Sequence, residues 1–285
     1  MKPSRPILRY HGGKWRLAPW ITSYFPAHRT YVEPYGGGAS VLLRKSPSYS
    51  EVYNDLSDEV VNLFEVLRSR KTAARLVDLV ARTPFARREF EAAFEVVSDP
   101  VERARRLLIR SAMGFGPGLA VNFQSTGFRS DSKKSGSTPA RNWAGFSAIV
   151  EAVADRFSGV IIEHRPALEV IEKHDASGTL FYIDPPYVHD TRSSKSSSGT
   201  LHHRYAHEMT DADHRALLDT IKSVEGKVVL SGYPHPLYDS LLADWCRVET
   251  EALADGARRR VEVLWMNFDP SVAAMTPDLF AEAAE

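Results

Sequence analysis

The residues best equipped for chemistry are Asp184-Pro185-Pro186-Tyr187, which follow the apolar run Thr179-Leu180-Phe181-Tyr182-Ile183. That run reads as a buried strand, so the four residues fall at its C-terminal mouth, where open α/β sheets place reactive groups. An acid, two prolines and an aromatic ring suit one demanding task. They can hold a planar, amino-bearing base so that its weakly nucleophilic nitrogen is alkylated. The carboxylate of Asp184 and the carbonyl of Pro185 accept the amino hydrogens, and Tyr187 stacks on the ring. The competing reading is a polar strand end with a proline turn, since Asp-Pro pairs commonly open turns.

Three other segments bear on the choice. Tyr31-Val32-Glu33-Pro34-Tyr35-Gly36-Gly37-Gly38 sets a glycine-rich turn after a short strand and before an expected helix, where glycines let a ligand approach the backbone. It is not a Gly-x-Gly-x-x-Gly fingerprint, and a tight turn without a ligand is its alternative. The next strand ends at Tyr53-Asn54-Asp55, and an acid there is well placed for the ribose hydroxyls of an adenosine-containing cofactor. The alternative, a plain acid at a helix N-terminus, is weakened by Ser57, which can cap the following helix itself. Upstream, Arg9-Tyr10-His11-Gly12-Gly13-Lys14-Trp15 gathers an aromatic, two glycines and a lysine that could clamp a cofactor carboxylate or ring. Read alone, it is a solvated loop with Trp15 packed into the core.

The elements that must position these residues follow from periodicity. Short β-like runs occur at Thr30 to Glu33, Glu51 to Tyr53, Val160 to Glu163, Leu180 to Ile183 and Lys227 to Ser231, with helical patterns between several of them. Such alternation argues for an α/β doubly wound sheet. After the second run, Asp58 and Glu59 open an amphipathic helix whose apolar face is Val60, Val61, Leu63, Phe64 and Leu67. Thr83 to Met113 reads as all-helical, with Thr83-Pro84 and Asp99-Pro100 as caps followed by proline, and breaks the alternation. Leu119 to Arg129 reads as a short hairpin, so residues 69–145 form a helical insert bearing a basic loop. Cys246 to Leu253 and Arg260 to Phe268 read as two adjacent strands joined at Asp255-Gly256. The Ser-rich stretch Thr191 to Thr200, directly after Tyr187, reads as a lid or a passive surface loop.

The 285 residues suffice for one large α/β domain and an insert. Net charge is zero, yet Arg103 to Gly145 holds eight basic residues (Arg103, Arg105, Arg106, Arg110, Arg129, Lys133, Lys134, Arg141) against Asp131, a local excess able to grip phosphates. Cys246 is the single cysteine, which excludes an internal disulfide, makes a zinc-thiolate cluster implausible and reads as a buried structural thiol. Its setting, Asp244-Trp245-Cys246-Arg247, also lacks the Pro-Cys context of cytosine ring-carbon methylation. His202, His203 and His207 have no acid at metal-ligand spacing, so no metal is expected. No stretch reaches the length of a membrane span, and a cytoplasmic setting is expected.

Arg9 to Lys14, Glu33 to Gly38 and Asp184 to Tyr187, in that order, resemble the DNA adenine methylase (Dam-like) family of S-adenosylmethionine-dependent enzymes. Asn54-Asp55-Leu56 also resembles the family's ribose-binding element, so the resemblance spans nearly the whole chain. Tyr10 stands where tryptophan is usual, and Gly36-Gly37-Gly38 replaces a more common Gly-Ser-Gly type ending. The resemblance implies a Rossmann-like methyltransferase sheet, mostly parallel with a reversed last strand, built from residues 1–68 and 146–285, with 69–145 as a DNA target-recognition insert. It implies that Tyr10, Gly12, Gly13 and Lys14 contact S-adenosylmethionine, that Glu33, Pro34, Tyr35, Gly36 and Gly38 line its methionine part, and that Asp55 binds its ribose. Asp184 would face both cofactor and base, with Pro185, Pro186 and Tyr187 completing the catalytic group. A buried adenine must leave the duplex to reach that group. Candidates for DNA contact are Arg110, Asn122, Gln124, Arg129, Lys133 and Lys134 in the insert, and Arg192, Lys195 and Arg204 around the lid. The expected partner is double-stranded DNA, bound by a monomer near the nucleoid, with no membrane and with a cognate restriction endonuclease as a functional counterpart if the enzyme is not an orphan. The same pocket logic would serve the exocyclic amino group of cytosine or an adenine in RNA, and a catalytically silent DNA-binding relative is the third alternative.

Overall fold

The computed structural model describes residues 3–116, 127–131, 136–188, 208–253 and 259–273. Seven strands form one sheet: β1 (Thr30–Glu33), β2 (Ser50–Asn54), β3 (Ile161–Glu163), β4 (Thr179–Ile183), β5 (Lys227–Gly232), β6 (Cys246–Leu253) and β7 (Arg259–Met266). Their order is β3-β2-β1-β4-β5-β7-β6. The first five run parallel and β7 lies antiparallel between β5 and β6. This is the mostly parallel Rossmann-like sheet with a reversed last strand. The order turns about between β1 and β4, which are neighbours in register Val32 to Phe181, and a cleft opens at such a switch point.

The helices are α1 (Ala18–Thr22), α2 (Asp58–Arg68), α3 (Arg70–Arg82), α4 (Arg87–Ala92), α5 (Pro100–Met113), α6 (Pro139–Ala144), α7 (Phe146–Phe157), α8 (Ala167–Lys173), α9 (Asp211–Ser223), α10 (Pro236–Leu241) and α11 (Pro270–Ala273). Strand residues alternate between the two faces because successive side chains point oppositely. Tyr31, Tyr53, Leu180 and Tyr182 enter one core with α1, α2, α5 and α7, whereas Val32, Val52, Phe181 and Ile183 enter a second with α8, α9 and α10. Both faces are covered, which is why β4 is buried along its whole length. Among the described residues no helix is long and apolar enough to cross a membrane, and no cluster of metal-binding side chains occurs.

Helices α3 to α6 break the alternation as expected, and α3 and α5 pack on α2 while α3 and α6 pack on α7. Asp99 caps α5 by accepting from the Glu102 amide at 2.8 Å, with Pro100 opening the helix. Thr83 instead closes α3. Its hydroxyl donates to Leu79 O at 2.7 Å, its carbonyl accepts from Trp143 Nε1 at 2.7 Å, and α4 begins only at Arg87 without a side-chain cap.

Four of the eight cations in residues 103–145, all on α5, are neutralised in space. Arg103 binds Asp58 and Glu59, Arg105 binds Glu102 and Glu89, and Arg106 binds Glu102. Arg110, expected at DNA, is 2 % exposed, pairs with Glu59 at 2.6 Å and donates to Ala93 O at 2.8 Å. It is a packing residue that ties α5 to α2 and α4, because helix periodicity turns it inward while acids from neighbouring helices meet it. Arg110→Met is expected to lower stability by about 3 kcal/mol, since breaking a buried pair strands its partner charge, and to leave DNA affinity unchanged. Denaturant unfolding and a filter-binding titration measure the two effects. Arg129 is half-buried, with its amide on Met113 O at 2.7 Å. Asn122, Gln124, Lys133 and Lys134 lie outside the described residues, as do most of the Leu119 to Arg129 hairpin, the Asp255-Gly256 turn, the Thr191 to Thr200 stretch, and His202, His203 and His207. Cys246 is half-buried at the core edge rather than fully enclosed.

Candidate active site

The glycine turn after β1 is fixed from below by the end of β2. Asn54 is fully buried and donates through Nδ2 to Pro34 O at 2.8 Å and Arg165 O at 3.0 Å, while its Oδ1 accepts from the Arg165 amide at 3.0 Å. One side chain thus joins the loops leaving β1, β2 and β3. Tyr53 donates its hydroxyl to Gly37 O at 2.7 Å, and Gly36 lies against the Tyr53 ring so closely that a Cβ there would sit 2.1 Å from Cε2. Gly37 has φ +49°, where a side chain is strained, and faces the Tyr10 ring. The helix expected after this loop is replaced by successive turns closed by Leu43 N to Ala39 O and Lys45 N to Val41 O, both 2.9 Å.

Asp55 belongs to the same scaffold. One carboxylate oxygen accepts from Gly37 N at 2.8 Å and the other from Ser57 N at 2.7 Å. Ser57 occupies the N-cap position of α2 but makes no side-chain cap bond. Asp55 thus fixes the entry to α2 at the Ser57 amide and also holds the glycine loop.

At the end of β4, Asp184 meets side chains from two other segments. Lys14 Nζ lies 3.0 Å from Asp184 Oδ1 and donates to Gly12 O at 2.9 Å. Ser231, on β5, donates to the same Oδ1 at 2.8 Å. Tyr187 is only 6 % exposed, because the Lys14 ammonium lies 4.7 Å from its ring centre and Tyr233 packs edge-on at 4.4 Å. Its hydroxyl donates to Glu262 Oε2, on β7, at 3.1 Å. Burial pushes the Glu262 carboxyl above its ordinary range, against the pull of Lys14. Glu33 is buried beside these groups; desolvation, reinforced by the negative charge of Asp184, pushes its carboxyl well up, and its Oε2 has no hydrogen-bond partner.

A cavity of about 630 Å³ connects these pieces. Its lining includes Tyr10, Gly12, Gly13 and Lys14, then Glu33, Pro34, Tyr35, Gly36 and Gly38, and finally Asp55 and Asp184. Pro186 also lines it, whereas Pro185 and Tyr187 do not. Four parts of the wall were not anticipated. Pro166, Ala167 and Leu168 follow β3, and a strand-end rule applied to that strand would have found them. Glu208, Met209, Asp213 and Ala216 come from α9 and the residues just before it, Tyr182 rises from β4, and Ser40 and Val41 follow the glycine turn. The helix contribution has no local sequence signal. Arg192, Lys195 and Arg204 lie outside the described residues.

Residues 10–104 match the D12 class N6 adenine-specific DNA methyltransferase family. That stretch contains the Lys14 loop, the glycine turn and Asp55. The chain is also similar to a curated DNA adenine methylase of Serratia marcescens, 25% identical over 259 residues that span 86% of this chain and 88% of the relative. The sheet order and the cavity at its switch point agree with what these matches show, a similarity to adenine-specific DNA methyltransferases of the Dam-like kind.

Proposed function

We propose that this chain transfers a methyl group from S-adenosylmethionine to the exocyclic amino group of an adenine rotated out of double-stranded DNA. The observation that carries the reading is the position of Asp184, held at the mouth of β4 beside a cavity that runs to the glycine turn. The cofactor fits that cavity on three counts. Gly36 and Gly37, packed against the Tyr53 and Tyr10 rings, bring bare backbone to the cavity wall, Glu33 offers a buried oxygen without a partner, and the volume suits a nucleoside with an amino acid arm. Tyr10, Gly12, Gly13, Lys14, Glu33, Pro34, Tyr35, Gly36 and Gly38 would hold it with Asp55. Bound there, S-adenosylmethionine supplies a methyl group on a positively charged sulfur.

The protein's own part is to make an amide-like nitrogen nucleophilic. Asp184 and the carbonyl of Pro185 accept the two amino hydrogens, which draws the nitrogen toward pyramidal geometry and frees its lone pair. Pro186 closes the pocket and Tyr187 supplies the stacking surface. Lys14 now lies on both the acceptor and the ring face that the adenine needs, so its ammonium has to turn aside as the base enters. Flipping costs a few kcal/mol of stacking and pairing, which contacts to the DNA backbone must offset. Residues 69–145 are the proposed recognition insert. Arg129, Asn122, Gln124, Lys133 and Lys134 are its contact candidates, with Arg192, Lys195 and Arg204 beside the pocket, and most of the cations among them serve phosphates. The enzyme acts as a monomer in the cytoplasm, with or without a restriction endonuclease of the same specificity.

Incubation of the purified protein with methyl-labelled cofactor and duplex DNA, followed by digestion to nucleosides, tests the reading. Label in N6-methyldeoxyadenosine is the expected result. Label in N4-methyldeoxycytidine, or transfer to RNA alone, would contradict it.

A further inference from the structure

Asp184 is followed by two prolines, and neither carries an N–H. An aspartate at a strand end ordinarily folds back onto the amides one or two residues ahead. Here those donors do not exist, so the carboxylate must be held by side chains from elsewhere in the fold. Ser231 and Lys14 both reach Oδ1, at 2.8 and 3.0 Å. Lys14 is the long, movable partner that has to turn aside for the base. Ser231 is the fixed one, since it is 1 % exposed and sits within β5, which pairs directly with β4.

The Ser231 hydroxyl donates to Asp184 Oδ1 at 2.8 Å, with Ile183 O a longer alternative at 3.5 Å. Its oxygen can then accept from Tyr182, whose hydroxyl lies 3.1 Å away and is fully buried. Burial also pushes the Tyr182 phenol well up, so it remains a donor. Tyr182 and Ser231 thus form a directed chain, Tyr182 O–H to Ser231 Oγ–H to Asp184 Oδ1, in which Ser231 lies behind the carboxylate and Tyr182 also touches the cavity wall.

We infer that Ser231 is a positioning residue for methyl transfer, oriented by Tyr182, which fixes Asp184 through Oδ1 and leaves Oδ2 to accept the adenine amino hydrogen. The inference rests on the reading of Asp184 as that acceptor. A serine that merely filled space in β5 would affect stability. One that aims the carboxylate affects the chemical step and leaves cofactor binding alone.

Single-turnover methylation of duplex DNA by the full-length enzyme, with cofactor affinity measured in parallel, separates these roles. Ser231→Ala is expected to slow transfer about 30-fold, the loss of one hydrogen bond to a charged group, with cofactor affinity within about twofold of wild type. Tyr182→Phe is expected to slow it about threefold, and the double variant to be no slower than Ser231→Ala, because Tyr182 acts only through the serine. Ser231→Thr, which restores the hydroxyl, is expected to recover most of the rate. If Ser231→Ala does not fold, Ser231→Cys takes its place, being of similar size with a weak donor, and the same loss is expected. A wild-type rate in the alanine or cysteine variant, additive losses in the double variant, or a loss of cofactor affinity that matches the loss of rate would each overturn the inference. If wild-type enzyme forms no N6-methyladenine, the proposed reaction itself fails. If it does and Ser231→Ala matches it, only the role of Ser231 is wrong.

Discussion

Asp184→Ala is expected to reduce methyl transfer by about 10³-fold or more, the scale seen when a preorganised electrostatic group is removed from a reacting centre. The variant loses the proposed acceptor for the amino hydrogens and leaves the Lys14 ammonium, 4 % exposed, without the Asp184 carboxylate. Asp184→Asn is expected to fall almost as far, although it keeps the shape. Its amide offers one acceptor where the carboxylate offered two, and Ser231 and Lys14 already claim Oδ1. Binding of DNA without cofactor should be largely unchanged in both, because Asp184 lies at the end of β4 and not in the insert. An electrophoretic mobility titration beside a methylation time course gives both numbers. Equal activity in Asp184→Ala would remove it from the mechanism.

Gly36→Ala is expected to cost about 3 kcal/mol of stability and most of the cofactor affinity, since overpacking a filled interior ordinarily costs about 1–3 kcal/mol and this site cannot relax cheaply. The added Cβ would lie 2.1 Å from the Tyr53 ring, which is buried and anchored by its hydroxyl on Gly37 O. Moving the ring therefore breaks the bond that shapes the neighbouring glycine. Gly145→Ala is the control: its φ is −97° and nothing lies within 4 Å of its Cβ position. Thermal unfolding and cofactor titration of the two variants should differ sharply. Similar behaviour would mean that the glycine turn is a passive connection.

Strand positions were readable because burial on both faces demands apolar runs, as in Thr179 to Ile183, and the three loop motifs were readable because each follows a strand or shares its glycine chemistry. What stayed hidden depends on distant partners. Arg110 looked like a free cation because Glu59 is 51 residues away in the chain, and the same holds for Arg103 with Asp58 and Glu59. Asp55 looked like a ligand group alone, while in the fold it also anchors Gly37 and Ser57. Tyr187 looked like an open stacking surface until Glu262 and Tyr233, brought in by β7 and the end of β5, enclosed it. Ser231 carries no motif at all. Its position matters only because β5 lies beside β4 and the prolines after Asp184 remove the local donors.

The most direct test of the central claim is to express the chain in a host lacking adenine methylases and sequence its genomic DNA with single-position detection of modified bases. N6-methyladenine in one short recurring sequence, lost when Asp184 is replaced by alanine, is the expected result. An unmodified genome in the presence of folded protein, or methylation that persists in Asp184→Ala, would contradict it.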